Sequence, residues 1–408
     1  MLDALQNIVF YVGAFVLVLS VVVFVHEFGH FQVARWCKVA VDTFSIGFGK
    51  PIAAWRDRAG IQWKVGSLPL GGYVKFMDDA DAISTGPTEA YDTPEKRAEA
   101  RAKGYFHAQP VAARAAVVAA GPMANFIFST LVFAALLLAF GRDATSTADL
   151  TPRIDQVVAG SPADRAGIKP GDVVVAIDGQ MISAFGEMQA RVTTSPGQPL
   201  AFTVQRDGSV VDLTVTPEAR ADIDEGGARI TRGMLGVGRT TLPEEREVER
   251  FNPATALVAG AEQVWMIIST TVRYIGNIIS GRASAEHLAG PLGIMDQSGK
   301  VLEGSLSAGG AERGIGERIG GAAIAMLQWA AILSVAVGFV NLLPVPLLDG
   351  GHLMFYGVEA ARGRPLSARA QEFGFRAGLA VIGSLFLFAT WNDLQRLNVL
   401  EFLSGILS

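Results

Sequence analysis

Two histidines and a glutamate stand together in the run Val25-His26-Glu27-Phe28-Gly29-His30. On a helix, residues four apart share a face, so His26 and His30 can reach one metal ion. Glu27 sits beside the first of them, placed to take a proton from an attacking water. Metal-assisted hydrolysis is the chemistry this spacing suits. The motif also arises by chance, and its setting is what sharpens it. Residues 8 to 25 carry no charge, eighteen in a row, which is long enough to read as a membrane span. Ionisable groups joined to a span without a polar linker are costly unless they pair or bind something.

Two histidines leave a zinc site short, because catalytic zinc takes three protein ligands and keeps a position for water. Val33 and Trp36 stand where the longer HExxHxxGxxH motif has glycine and histidine, so no third ligand follows nearby. The best remaining candidate is Asp349, in Asn341-Leu-Leu-Pro-Val-Pro-Leu-Leu-Asp349-Gly350. Backbone broken by Pro and Gly is tolerated at membrane depth where it lines a protein-walled cavity. For Asp349 to meet the histidines, the apolar stretches carrying them must end on the same side of the membrane.

That condition organises the chain. Of its 408 residues 50% are apolar and 18% charged, with a mean hydropathy of +0.34, a mixed membrane and soluble composition. The net charge of −5 and the lack of a basic tract speak against a nucleic-acid partner. Cys37 is the single cysteine, so a disulfide within the chain and a cysteine metal site are excluded. The first residues lack a positive region and a cleavage site, so the first span, residues 1–35, is expected to be retained. Three more spans are expected at residues 112–141, 322–351 and 374–392. The apolar segment 251–281 carries Glu262, Gln263, Arg273 and Asn277. It is expected to lie along the interface without crossing, since only then do His26 and Asp349 share a side.

Between the first two spans, residues 36–111 are expected to hold β-hairpins at 42–77 and a mobile loop at 78–103. Residues 35 to 114 hold twelve Lys/Arg against nine Asp/Glu, which places this region in the cytoplasm. A strand through Gly71, Gly72, Tyr73 and Val74 offers an edge on which an extended substrate could pair. Asn125 lies inside the second span, where a buried amide needs a partner, and is a candidate substrate contact. Residues 282–321 read as a connector, 352–373 as a cytoplasmic loop and 393–408 as a tail.

Residues 142–250 are acidic, with seventeen Asp/Glu against twelve Lys/Arg, and read as short strands with turns. The asymmetry places them on the external side. The run Ser161-Pro-Ala-Asp-Arg-Ala-Gly-Ile-Lys-Pro-Gly-Asp172, followed by Gly179, closely resembles the PDZ domains of bacterial envelope proteases. Such domains bind extended peptide tails by strand addition, and Leu235, Gly236 and Val237 are the candidate contacts.

Taken together, His26-Glu27-Phe28-Gly29-His30, Gly121-Pro122 with Asn125, the PDZ pattern and the Asn341-to-Gly350 run resemble the bacterial site-2 intramembrane metalloproteases. Within them the regulator-of-sigma-E protease type is nearest, though tandem-PDZ members carry two PDZ domains and there is room here for one. The resemblance implies a polytopic α-helical protein of four spans, with a membrane-associated β-sheet and one extracytoplasmic PDZ domain. It implies zinc on His26, His30 and Asp349, with Glu27 as base, and Asn341 is a candidate donor to the carbonyl oxygen in the transition state. It also implies a bacterial inner membrane, with the PDZ domain periplasmic and the active site near the cytoplasmic side. The expected partners are the bilayer, a single-span membrane protein such as an anti-sigma factor, and a peptide tail at the PDZ domain. The competing readings are a membrane zinc transporter or sensor, and a non-proteolytic PDZ scaffold.

Overall fold

The computed structural model describes residues 2–79, 93–146, 150–223, 229–242, 245–285, 288–308 and 314–397. The chain begins with α1 (Leu2–Trp36), β1 (Val41–Arg56), β2 (Gln62–Phe76), α2 (Pro94–Ala102) and α3 (Val111–Phe140). Short strands and helices follow: β3 (Arg142–Asp143), β4 (Gln156–Val157), α4 (Pro162–Arg165), β5 (Val173–Ile177), β6 (Gln180–Met181) and α5 (Phe185–Thr193). Next come β7 (Leu200–Arg206), β8 (Ser209–Val215), β9 (Glu218–Ile223), β10 (Arg229–Met234), β11 (Val237–Gly238) and β12 (Val248–Glu249). The chain closes with α6 (Pro253–Ile279), α7 (Pro291–Ser307), α8 (Ile315–Asn341), α9 (Asp349–Arg362) and α10 (Ala368–Arg396). These fall into two compact units, one of residues 1–135, 253–271 and 285–408, the other of residues 136–252 and 272–284.

In the first unit, α1, α3, α8 and α10 are each long and apolar enough to cross a membrane, so this is a multi-pass membrane protein. Small residues bring α1 and α3 close together: a Cβ on Gly29 would collide with the Ala120 carbonyl and come within 2.6 Å of Ala124. On its other side α1 packs Ala14, Val18 and Val22 against Met326 and Ala330 of α8. α6 is not one of the four span-like helices. Its buried residues, Ala256, Ala259, Gly260 and Val264, form one stripe, and Gly260 lies against the Thr130 carbonyl of α3.

The hairpin differs from the short strands expected. β1 has 16 residues and β2 has 15, and the first part of β1 lies between two arms of β2. Phe44 pairs with Trp63 on one side and with Val74 on the other. Among the described residues, the arm from Gly72 to Phe76 has no strand on its outer edge. The sheet is fixed to α1 by aromatics: the Phe31 ring lies 5.5 Å from Phe44 and 5.4 Å from Trp63, a separation at which edge-to-face rings attract. Burial of Phe31, Phe44 and Ile61 completes that contact.

Three segments expected without structure contain helices. Of the expected mobile loop, residues 80–92 lie outside the described residues, whereas Pro94–Ala102 forms α2, started by Thr93, whose side chain accepts from the Lys96 N–H. The connector contains α7, which packs against both α1 and α8, with Trp329 Nε1 donating to Ser298 at 2.9 Å. The expected cytoplasmic loop holds α9, which runs until Gly363 takes φ +68, the left-handed ending glycine tolerates. Arg114 of α3 ties to Glu359 of α9 at 2.6 Å, with both side chains largely buried. Of the expected tail, residues 393–396 complete α10 and 398–408 lie outside the described residues.

The second unit has its own core of Ile154, Ile177, Met188, Phe202 and Val204. Its largest sheet has strand order β6-β5-β7-β8, with β7 and β8 joined through Asp207 and Gly208, both at positive φ. Asp172 is fully buried, and Arg206 grips it with two bonds of 2.7 Å. Ser161 starts α4 by accepting from the Asp164 N–H.

Candidate active site

His26, Glu27 and His30 occupy the turn of α1 that faces both α3 and the arm of β2. Asp349 is the first residue of α9. Pro344 and Pro346 break the chain between α8 and α9, and Leu347 takes φ +128, a strained value for a branched residue. Gly350 and Gly351 let that turn fold tightly, since a Cβ on either would strike the carbonyls of Leu342 and Val345. Asp349 Oδ2 then lies 3.1 Å from His26 Nε2 and 3.5 Å from His30 Nε2, and the two Nε2 atoms are 3.2 Å apart. All three atoms fall within 4.8 Å of one another.

This cluster suits a metal ion. His30 Nδ1 contacts the Val117 carbonyl at 2.8 Å; a carbonyl only accepts, so Nδ1 carries the proton, and in the neutral imidazole Nε2 then presents a bare lone pair. Asp349 Oδ2 is buried without a hydrogen bond. Atoms of this kind facing one another repel unless a cation lies among them. Two imidazole nitrogens and a carboxylate are a zinc donor set.

The ligand candidates line a cavity of about 260 Å³, which also meets Glu27, Gly72, Tyr73, Val74, His107 and His352. Gly72 fits closely, as a Cβ there would come within 2.8 Å of Glu27 Cγ. Gly71 lies outside that lining, against the Phe48 ring. Asn341, the last residue of α8, is likewise not part of the lining. Asn125, expected to contact substrate, is fully buried behind the histidines, with Nδ2 3.1 Å from His26 Nδ1. Leu235, Gly236 and Val237 line a separate groove of the second unit, which also meets Met188, Val192 and Arg232.

Sequence reasoning missed a second cluster in the same cavity. Asp78 accepts from the backbone N–H groups of Phe106 and His107, and His107 Nε2 lies 3.1 Å from Asp79 Oδ1. The two aspartates stood at the start of a segment expected to be mobile, and neither carries a spacing that points to His107. His352 also faces the cavity, where it contacts the Phe375 ring at 5.6 Å. Burial pushes the nearby Tyr356 phenol up to about 12, so it stays a neutral donor at physiological pH.

Residues 14–385 match the family model described as Peptidase family M50. The chain belongs to peptidase family M50. It is 43% identical over 395 residues to the metalloprotease MmpA of Caulobacter vibrioides, an alignment covering 95% of this chain and 96% of that one. It is also 30% identical to the regulator of sigma E protease of Salmonella typhi, covering 97% and 100% of the two chains. A relative from Rhizobium meliloti named as a zinc metalloprotease is 39% identical, covering 96% and 98%. Membership in this family of site-2 zinc metalloproteases makes zinc the cofactor of the M50 chain described here. His26, His30 and Asp349 are the candidate residues to hold it.

Proposed function

We propose that this M50 protease cleaves the transmembrane segment of a single-span, membrane-tethered regulatory protein, in the manner of anti-sigma factor release. The observation carrying the reading is the joining, in one cavity, of the His26–His30–Asp349 cluster, Glu27 and the arm of β2 whose outer edge has no strand among the described residues. A transmembrane helix hides its peptide bonds in its own hydrogen bonds, so it must unwind before it can be cut. The arm through Gly72, Tyr73 and Val74 would hold the unwound segment as an added strand, which presents its carbonyls to the cavity. Zinc bound there supplies Lewis acidity, which polarises the scissile carbonyl and makes water a nucleophile near neutral pH. Glu27 takes the proton of the attacking water and passes it to the leaving amine. His107, held by Asp79, supplies a further polar group in the same cavity.

The second unit acts in this reading as a PDZ domain on the periplasmic side, and the cavity opens near the cytoplasmic face of a bacterial inner membrane. The acidic balance of residues 142–250 and the basic balance of residues 35–114 support that orientation. The groove beside Leu235, Gly236 and Val237 would take the peptide tail left by an earlier external cut. A transporter or sensor has no use for a glutamate beside its first ligand, nor for a substrate strand next to it. The test compares purified wild type with Glu27→Gln for zinc content and for cleavage of a membrane-embedded reporter. The reading expects Glu27→Gln to keep zinc and lose cleavage; undiminished cleavage by that variant would overturn it.

A further inference from the structure

α3 contacts both imidazoles on the side away from the cluster. His30 Nδ1 meets the Val117 carbonyl at 2.8 Å, and His26 Nδ1 meets the Asn125 side chain at 3.1 Å. Gly121 lies between these two contacts, and a Cβ there would collide with the His30 ring and come within 2.9 Å of His26 Cε1. The Asn125 backbone is fixed from α3 itself and from α8: Ser129 Oγ and Ser334 Oγ donate to its carbonyl at 2.9 and 3.3 Å. Gly338 of α8 closes on Asn125 Cβ.

The Asn125 amide sits in a particular pose. Its Nδ2 faces His26 Nδ1, and its Oδ1 is buried without a partner. An amide nitrogen only donates, so in this pose Nδ1 accepts and the proton of a neutral His26 lies on Nε2. That proton occupies the lone pair a metal needs. Exchange of the two amide ends by a half-turn about the Cβ–Cγ bond reverses the assignment. The orphaned Oδ1 then accepts from Nδ1–H, and Nε2 is bare.

We propose that Asn125 is the positioning residue that sets the tautomer of His26 for zinc, through its carbonyl oxygen and not its amino group. α3 would then serve both histidines with the same chemistry, a backbone carbonyl for His30 and a side-chain carbonyl for His26. The inference rests on the zinc reading of His26, His30 and Asp349, and it gives the buried asparagine a role other than substrate contact. Partners of this kind are worth roughly 10–100-fold in metal affinity.

The test measures zinc affinity by chelator competition on full-length protein in detergent, for wild type, Asn125→Asp, Asn125→Leu and His26→Ala. Aspartate keeps the acceptor and removes the donor, whereas leucine keeps the volume and removes both. Asn125→Leu is expected to weaken zinc binding about 10–100-fold and Asn125→Asp to stay within a few-fold of wild type. Wild-type affinity in Asn125→Leu, or equal weakening in both variants, overturns the assignment. Retained zinc in His26→Ala would instead defeat the metal-site reading beneath it. Should the Asn125 variants fail to fold, ring 15N shifts of the zinc-loaded wild type decide: a protonated Nδ1 on His26 is expected, and a bare Nδ1 overturns the proposal.

Discussion

The Asp349 carboxylate lies 3.1 Å from Nε2 of His26, which joins the start of α9 to the end of the first span. The sequence between them contains three long apolar helices' worth of turns and a separate soluble unit, so this contact exists only if the spans pack as described. Asp349→Ala removes the charge and one donor atom. It is expected to reduce zinc affinity by more than the roughly tenfold to hundredfold loss that follows removal of an outer partner, with the helical content unchanged. Metal analysis alongside circular dichroism checks both.

Gly121 should tolerate no side chain. A methyl group there meets the His30 ring directly, and the neighbouring helices leave α1 little room to withdraw. Gly121→Ala is expected to lower bound zinc and abolish cleavage, whereas Gly13→Ala, with open space around it, should leave both unchanged. Zinc content of the two purified variants tests the contrast.

The arm of β2 gives a prediction with an internal control. Adjacent residues in an antiparallel strand point their N–H groups to opposite sides. Of Tyr73 and Val74, which pair with Ser45 and Phe44, one therefore bonds to β1 and the other faces the free edge. Proline at the outward position should reduce cleavage about tenfold or more, on the order of one lost backbone bond to substrate, while zinc stays bound. Proline at the inward position should also disturb the hairpin, visible as faster amide exchange in β1. Full turnover by both variants would remove the strand from the mechanism.

The second unit should respond to acid through Asp172. Burial alone would push its pKa up, but the Arg206 pair and the Lys169 N–H outweigh burial and hold the carboxyl below the usual carboxylate range. A group depressed in the folded state stabilises the fold above its unfolded pKa, about 3.9, and that stability is lost as pH falls through the folded value. Asp172→Asn should remove it at neutral pH, a loss on the order of 2 kcal/mol, and should flatten the acid response below about pH 4. Amide exchange of β5 and β7 in the full-length protein, corrected for the intrinsic rate at each pH, measures both effects.

How much was legible beforehand depended on the range of the interaction. His26, Glu27 and His30 lie within two helical turns, so their spacing and the apolar run before them establish the motif and the span on local grounds. Asp349 was reachable by elimination, because a Pro/Gly-broken acid at the end of an apolar stretch has few structural uses. The four spans follow from hydropathy once the apolar segment 251–281 is set aside, which the meeting of His26 with Asp349 required. α2 and α9 were not legible, since their polar residues carry no strong apolar period and their helices are fixed by caps and by pairs such as Arg114 with Glu359. Asn125 facing His26, and Asp79 facing His107, depend on helices and a strand meeting at angles that no local pattern encodes. By itself, then, the sequence determined the HExxH turn, the spans and three candidate zinc ligands. Only the tertiary structure decided which buried groups stand behind those ligands, because hydrogen bonds between distant elements form only once packing has brought their atoms within about 3 Å.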